Sequence, residues 1–342
     1  MRQTELEIKD IRALLELPRK VVVFGHRNPD GDAIGSALAI RMFLETWGHQ
    51  VTVIFPTDYP PLYQFLPGIE ASLISVAQKE ESAAAVKAAE LIFLLDFNAL
   101  DRIDDMGVHV QESDAPTLLI DHHLDPEPIA DWVLSDPAAS STAELVYLFF
   151  EMLGETRRID LRIATALFTG LLTDTGSFKY STSERLFRIA ADLKALGVDD
   201  YWLQNRLFNS LTEKQLRLIG HCIANRMEVL SDLKTGIIYL NQDDYQRFRI
   251  QRGDTEGIVN YILMMRHMRI AVFITQQNNA IKLSFRSKGD VSVQELARDC
   301  FHGGGHRNAA GGSSKRSLSD TIVYLKEVLP EYLERQGLFS QT

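Results

Sequence analysis

Cysteine is almost missing from this chain: Cys222 and Cys300 are the only two in 342 residues, far apart and without CxxC spacing. That excludes a disulfide framework and a zinc knuckle, and two reduced, partly buried thiols are the simple reading. Long apolar runs are missing too. None approaches the length of a membrane span, and the opening Met1-Arg2-Gln3-Thr4-Glu5-Leu6-Glu7-Ile8 mixes charges where a signal peptide would be apolar. A cytoplasmic protein with no membrane partner is therefore expected. Positive charge is in deficit: the formal net charge is −10, which argues against a broad basic face that coats long nucleic acid. Repeats and low-complexity tracts do not occur. An apolar fraction of 45% and a charged fraction of 24% belong to an ordinary folded chain, and 342 residues suggest two domains, each with its own core.

What is present begins with Val21-Val22-Val23-Phe24, a buried-strand pattern that runs directly into Gly25-His26-Arg27-Asn28-Pro29-Asp30-Gly31-Asp32. Gly25, Pro29 and Gly31 forbid regular structure there, so His26, Asp30 and Asp32 crowd together just beyond a strand and before a helix. The pattern repeats. Leu91-Ile92-Phe93-Leu94-Leu95 reads as a buried strand ending in Asp96, and Thr117-Leu118-Leu119-Ile120 as another ending in Asp121-His122-His123. Val51 to Phe55 is a further strand, and helical patterns lie between the strands, at 34–48 with Gly48 as its C-cap and at about 80–90. Alternation of this kind predicts a parallel α/β sheet, in which the carboxyl ends of the strands open on one edge. An opening helix is predicted over 4–17.

Helices are predicted at 141–153 and 160–173, with Ser140, Ser141 and Asp160 as N-cap candidates. The second runs into Thr173-Asp174-Thr175-Gly176. A carboxylate there faces the negative end of the helix dipole, which is unfavourable without a cation beside it. From 184 to 228 the pattern is helical and mixed, and the connection between domains is placed at 191–228, dividing 1–190 from 229–342. Beyond it, 236–240, 269–275 and 281–286 read as strands, and 255–265, 292–301 and 317–335 as helices. Ser292 with Glu295 forms a capping-box pair. It opens a helix that leads to Gly303-Gly304-Gly305-His306-Arg307-Asn308-Ala309-Ala310-Gly311-Gly312, five glycines in ten residues. Glycine at that density suits backbone that must approach a ligand closely. This region is also the basic one: Lys282, Arg286, Lys288, Arg298, Arg307, Lys315 and Arg316 face only Asp290, Glu295 and Asp299 within 282–316.

His26, Asp30, Asp32, Asp96, His122, His123 and Asp174 form a donor set of carboxylate and imidazole without thiolate. Mn²⁺, or Mg²⁺ held less tightly, suits such a set better than structural zinc. Crowded carboxylates raise one another's pKa unless cations neutralise them, and two divalent ions about 3.5–4 Å apart would do so. Singly, each residue has an ordinary reading: Asp30 and Asp32 as turn residues, Asp96 as a cap, the His pair as surface groups. Caps and turns have no reason to supply six such groups in this order.

These residues resemble the motifs of the DHH phosphoesterase superfamily: His26-Arg27-Asn28-Pro29-Asp30-Gly31-Asp32, Leu94-Leu95-Asp96, Asp121-His122-His123, and Leu172-Thr173-Asp174-Thr175-Gly176. Ser284-Phe285-Arg286-Ser287 and the Gly303–Gly312 run resemble the DHH-associated domain of the first type. The resemblance covers nearly the whole chain and is closest to the nanoRNase and pAp-phosphatase type. It implies a parallel-sheet catalytic domain over 1–190, a helical linker, and a smaller mixed-sheet α/β substrate-binding domain over 229–342, with a cleft between them. It also implies a cytoplasmic Mn-dependent enzyme that hydrolyses short oligoribonucleotides to mononucleotides and acts on 3′-phosphoadenosine 5′-phosphate, by attack of a metal-bridging hydroxide. Two metals per site are implied, His26 and Asp30 on one, Asp32, His122 and Asp174 on the other, and Asp96 on both. His123 then faces the substrate phosphate, Asp121 orients an imidazole, and Arg286, Ser287, Gly304, Gly305, His306 and Arg307 bind the far phosphate or base. A homodimer is compatible with this reading. The other readings that remain are a phosphodiesterase for linear or cyclic dinucleotides, an exopolyphosphatase-like enzyme, and a nucleotide-binding module without turnover.

Overall fold

The computed structural model describes residues 4–5, 8–209, 211–251, 253–277 and 280–337. The chain forms two compact units, Met1–Ser210 and Leu211–Thr342. The division falls within the stretch expected to be a linker, whose helices are shared between the units.

The first unit contains β1 (Thr4–Glu5), α1 (Ile8–Leu15), β2 (Lys20–Phe24), α2 (Gly31–Glu45), β3 (Gln50–Phe55), β4 (Leu73–Ile74), α3 (Lys79–Lys87), β5 (Leu91–Leu95), α4 (Met106–Gln111), β6 (Thr117–Asp121), β7 (Trp132–Ser135), α5 (Thr142–Met152), α6 (Leu161–Asp174), α7 (Glu184–Ala195) and α8 (Asp200–Phe208). All seven strands are parallel, in the order β1-β7-β6-β5-β2-β3-β4. Alternate residues of β2, β5 and β6 enter two separate cores. Val21, Val23, Phe93 and Ile120 pack with α2, α5 and α6, while Val22, Phe24, Leu94 and Leu119 pack on the other face. Covering both faces requires uninterrupted apolar strands, which is why β5 is Leu-Ile-Phe-Leu-Leu.

From β2 the chain winds outward to β3 and β4, and from β5 it winds the other way to β6 and β7, so order reverses between β2 and β5. In such sheets ligands bind outside the carboxyl ends at that reversal. Phe24 pairs with Leu94 and Leu95 with Ile120, which sets His26, Asp96 and Asp121 side by side. The predicted opening helix is shorter than expected. Its regular part is Ile8–Leu15, because Thr4 and Glu5 pair with β7 as an edge strand.

The second unit contains α9 (Glu213–Asn225), β8 (Met227–Leu230), β9 (Thr235–Leu240), α10 (Gln242–Phe248), α11 (Ile258–Leu263), β10 (Ile270–Gln277), β11 (Ala280–Ser287), α12 (Gln294–Phe301), β12 (Gly304–His306), β13 (Ala309–Ser314) and α13 (Leu318–Arg335). Its mixed sheet has the order β12-β13-β11-β10-β9-β8, parallel only between β9 and β10. The expected capping box at Ser292 and Glu295 does not form. Instead α12 starts after Val293, and both residues serve Gln336 beyond α13: the Ser292 N–H donates to its Oε1 at 3.3 Å and Glu295 accepts from its Nε2 at 3.2 Å. Among the described residues no helix is long and apolar enough to cross a membrane.

Candidate metal centre

Asp30 is the N-cap of α2, its Oδ1 accepting from the amides of Asp32 at 3.0 Å and Ala33 at 3.1 Å. Its other oxygen faces His26 Nε2 at 3.9 Å. His26 is buried, and its Nδ1 lies 2.8 Å from the Arg27 carbonyl, which can only accept, so Nδ1 carries the proton and Nε2 is the ring atom facing the carboxylates. Asp96 follows β5 with φ 65, in the left-handed region that a non-glycine residue enters at a cost of about 1–2 kcal/mol. Strain of that kind persists where the surroundings demand it. Asp96 Oδ2 is 3.5 Å from His26 Nε2, and Oδ1 is 3.6 Å from His122 Nε2, so one buried carboxylate stands between two imidazoles.

Asp32 is fully buried in the first turn of α2 and accepts from the amides of Thr142 at 2.6 Å and Ala143 at 2.9 Å, at the start of α5. A helix N-terminus thus meets a carboxylate that would otherwise be costly to bury. Asp174, the last residue of α6, is held by His122 Nε2 at 3.2 Å. Small residues bring the two helices together: a Cβ on Gly35 of α2 would lie 2.3 Å from the Ala166 carbonyl of α6, and one on Gly170 of α6 would lie 2.7 Å from Asp32 Oδ1. Asp121, buried at the end of β6, receives His123 Nδ1 at 2.6 Å.

The structure therefore draws His26, Asp30 and Asp96 into one group, Asp32, His122 and Asp174 into a second, and Asp96, His122 and His123 into an overlapping third, the ligand atoms within each lying within 4.8 Å of one another. Their charges are strained against each other. Burial pushes the Asp32 carboxyl well above the usual range, and repulsion from Asp96 and Asp174 adds to it. Burial likewise raises Asp174 to about 6, opposed by its hydrogen bond to His122 and aided by Asp30 and Asp96. For the imidazoles burial works downward, but the carboxylates outweigh it, holding His26 at about 9 and His122 at about 10. Burial would raise Asp96, yet its pairing with His26, His123 and His122 keeps it well below the carboxylate range. Among the described residues no Lys or Arg pairs with Asp32, Asp96 or Asp174. A buried set of oxygen and nitrogen donors with only imidazoles for counter-charge fits divalent cations.

Two family models match the chain: the DHH family, N-terminal domain, over residues 20–171, and the DHHA1 domain over residues 236–334. An exopolyphosphatase-related protein from Bacteroides fragilis is 33% identical, with a TM-score of 0.94 over 96% of this chain and 97% of that one. The chain belongs to the DHH family. Among curated DHH relatives it is 27% identical to the bifunctional oligoribonuclease and PAP phosphatase NrnA of Bacillus subtilis, over 90% of this chain and 95% of that protein. RecJ of Thermus thermophilus, solved in complex with Mn²⁺, shares the fold at 15% identity and a TM-score of 0.56, over 96% of this chain and 55% of RecJ.

In the DHHA1 unit the glycine run is an edge hairpin, β12 on β13. Gly303, Gly305 and Gly312 are fixed by packing, since a Cβ would lie 1.9 Å from the Gly311 carbonyl, 2.6 Å from the Ala309 carbonyl and 2.9 Å from Phe301 respectively. A Cβ on Gly304 meets nothing within 4 Å, so ligand approach remains an open reason for glycine at that position alone of the expected pair Gly304 and Gly305. Arg286 and His306 both pair with Ala309 and share one face of the hairpin sheet. Ser287 does not join them. It alternates to the buried face of β11, where its hydroxyl donates to the Val291 carbonyl at 2.6 Å and accepts from Asn308 at 2.8 Å. Arg307 sits at the turn, its guanidinium donating to the Asp290 carbonyl at 2.8 Å.

Thr142 carries no signal in the sequence. The adjoining Ser141 was legible as an N-cap, and the structure bears this out with its hydroxyl accepting from Glu144 N at 3.1 Å. Nothing in the local pattern showed which carboxylates that helix start would meet.

Proposed function

We propose that this chain is a metal-dependent phosphoesterase that hydrolyses short oligoribonucleotides to mononucleotides and dephosphorylates 3′-phosphoadenosine 5′-phosphate. The observation that carries the proposal is the pair of ligand groups at the sheet's reversal point, His26, Asp30 and Asp96 in one and Asp32, His122 and Asp174 in the other, overlapped by a third of Asp96, His122 and His123, in a chain similar along nearly its whole length to an oligoribonuclease and PAP phosphatase. Manganese is the metal we assign, with magnesium the weaker alternative, because the donors are carboxylate and imidazole. His26 and Asp30 would hold one ion, Asp32, His122 and Asp174 the other, and Asp96 both. Bound there, the ions would supply Lewis-acid stabilisation of the phosphoryl oxygens and lower the pKa of a nucleophilic water.

The protein's own groups do the rest. Asp121 fixes the ring of His123 through Nδ1, so that the imidazole can hydrogen-bond a substrate oxygen through Nε2. Arg286 and His306, on one sheet face, would bind a remote phosphate or base, and Gly304 leaves room for the ligand to approach the backbone.

The test is a Mn²⁺-supplemented panel of a dinucleotide, 3′-phosphoadenosine 5′-phosphate, pyrophosphate, polyphosphate and cyclic dinucleotides. Hydrolysis of the first two is expected. Preference for cyclic dinucleotides or polyphosphate would replace the proposed substrate, and inertness toward all of them would make the chain a binding module. Asp96→Ala should lose metal occupancy and turnover together; an active Asp96→Ala enzyme would overturn the two-ion assignment.

A further inference from the structure

The start of α5 touches both halves of the candidate centre through a single residue. Thr142 donates its amide to Asp32 Oδ2 at 2.6 Å and its hydroxyl to Asp96 Oδ1 at 2.9 Å. Asp32 belongs to the first turn of α2, Asp96 to the end of β5, and Thr142 to a helix that begins after β7. Outside the candidate ligands, Thr142 is the one described residue hydrogen-bonded to both carboxylates. All three residues are buried.

Part of this has an ordinary explanation. The first amides of a helix need acceptors, and Asp32 serves Thr142 and Ala143 in that way. The hydroxyl bond has no such explanation, because the cap of α5 is already made by Ser141. What the hydroxyl does is hold the plane of the Asp96 carboxylate. Oδ1 takes the Thr142 proton and faces His122 at 3.6 Å, while Oδ2 is left to His26 at 3.5 Å. Without that bond the carboxylate would be free to turn about its Cβ–Cγ bond, out of the plane that faces both imidazoles; the hydroxyl pins it.

The helix start is itself braced from behind. Buried Glu144 accepts from the Ser140 amide at 2.7 Å, the Ser140 hydroxyl at 2.6 Å and Arg185 Nε at 2.5 Å, and Arg185 also reaches Asp136 at 3.0 Å. Thr142 thus projects from a rigid turn.

We propose that Thr142 is a positioning residue of the two-ion centre, its amide fixing the Asp32 carboxylate and its hydroxyl fixing the Asp96 carboxylate, so that the spacing of the two ion positions is set from α5. The proposal rests on the two-ion reading given above. It requires that loss of the hydroxyl alone weaken metal binding, since the amide to Asp32 and the packing of α5 survive the change. Partners of metal ligands commonly contribute 10–100-fold in affinity or activity.

The experiment titrates chelator-stripped full-length protein with MnCl2 alone by calorimetry, for wild type, Thr142→Val, Thr142→Ala and Thr142→Ser, and then measures dinucleotide hydrolysis against Mn²⁺ concentration. Wild type should bind two ions. Val and Ala should weaken one of them by about tenfold or more and raise the Mn²⁺ requirement for hydrolysis in parallel, with the dinucleotide KM at saturating Mn²⁺ little changed; Ser should restore both. Thermal melting of the stripped proteins separates this from misfolding, and if Val fails to fold, Ala decides. Wild-type Mn²⁺ affinity in a folded Val or Ala variant, or a Ser variant as weak as Val, would overturn the role of the hydroxyl while leaving the two-ion reading standing. A wild type that binds no Mn²⁺ would overturn both.

Discussion

Gly170→Ala adds one methyl group where the structure leaves no room for it. The new Cβ would lie 2.6 Å from Ala143 Cβ and 2.7 Å from Asp32 Oδ1. Carbon atoms in contact prefer about 3.5–4.0 Å, so α6 must withdraw by roughly 1 Å from α2 and α5. Overpacking of this size costs about 1–3 kcal/mol, and the better helix propensity of alanine returns about 1 kcal/mol. The net loss is therefore about 0–2 kcal/mol, which leaves about 99% of a protein of ordinary stability folded. Activity should fall much further. Asp32 stands on α2 and Asp174 on α6, so the same displacement separates two candidate ligands of one ion. A misplacement of about 1 Å commonly costs about 100-fold in rate. Urea unfolding measures the first quantity, and kcat on a dinucleotide at saturating Mn²⁺ the second. A Gly170→Ala enzyme with wild-type kcat would refute the claim that this helix contact sets the site.

The same substitution at Gly220 should do the opposite: a Cβ there meets nothing within 4 Å on the exposed face of α9, so Gly220→Ala should raise stability by about 1 kcal/mol, read as a higher urea midpoint. Titration gives a third test. His26 and His122 hold protons up to about 9 and about 10 in the fold against an ordinary 6.5, so their stabilisation is complete below pH 6.5 and is lost as pH rises through 9 and 10. Asp174, raised to about 6, binds a proton more readily folded than unfolded and acts with the same sign between pH 4 and 6. The melting temperature of chelator-treated protein should therefore fall as pH is raised, and Mn²⁺ binding near pH 7.5 should release about two protons, seen as a buffer-dependent heat; binding without proton release would contradict the imidazole assignments. In the second unit, Asp244 accepts from Arg226 at 2.8 Å and contacts buried His221 at 2.9 Å, so Asp244→Ala should cost about 3 kcal/mol, and an unchanged urea midpoint would rule that network out as a source of stability.

Strand ends were the legible part of this protein. Buried parallel strands announce themselves as unbroken apolar runs, and the residues just beyond such a run lie on the ligand edge, so His26, Asp96 and His122 could be grouped from sequence alone. Helix positions without special chemistry, such as Leu318–Arg335, were legible from period alone. Contacts between distant elements were not. Ser292 and Glu295 satisfy a local capping rule, yet Gln336, just past α13, takes both. Ser287 comes directly after Arg286 in a motif, but strand alternation turns it to the opposite face. The glycine run illustrates both sides, since the residue type was visible while the reason for it differs between Gly303, which packing demands, and Gly304, which packing does not.

Asp30 has a consequence for how this fold can change over generations. One of its oxygens closes the first turn of α2 and the other faces His26. Serine or asparagine would close that turn nearly as well, but neither offers a second anionic oxygen. On the two-ion reading, a single-base change from aspartate to asparagine at this codon would leave a chain that still folds, still presents both units, and lacks a ligand for one ion. Lineages would then lose catalysis here without losing the protein, and a descendant that keeps Asp32, Asp96 and Asp174 but carries asparagine at position 30 would be a natural starting point for a binding protein built on an enzyme's frame.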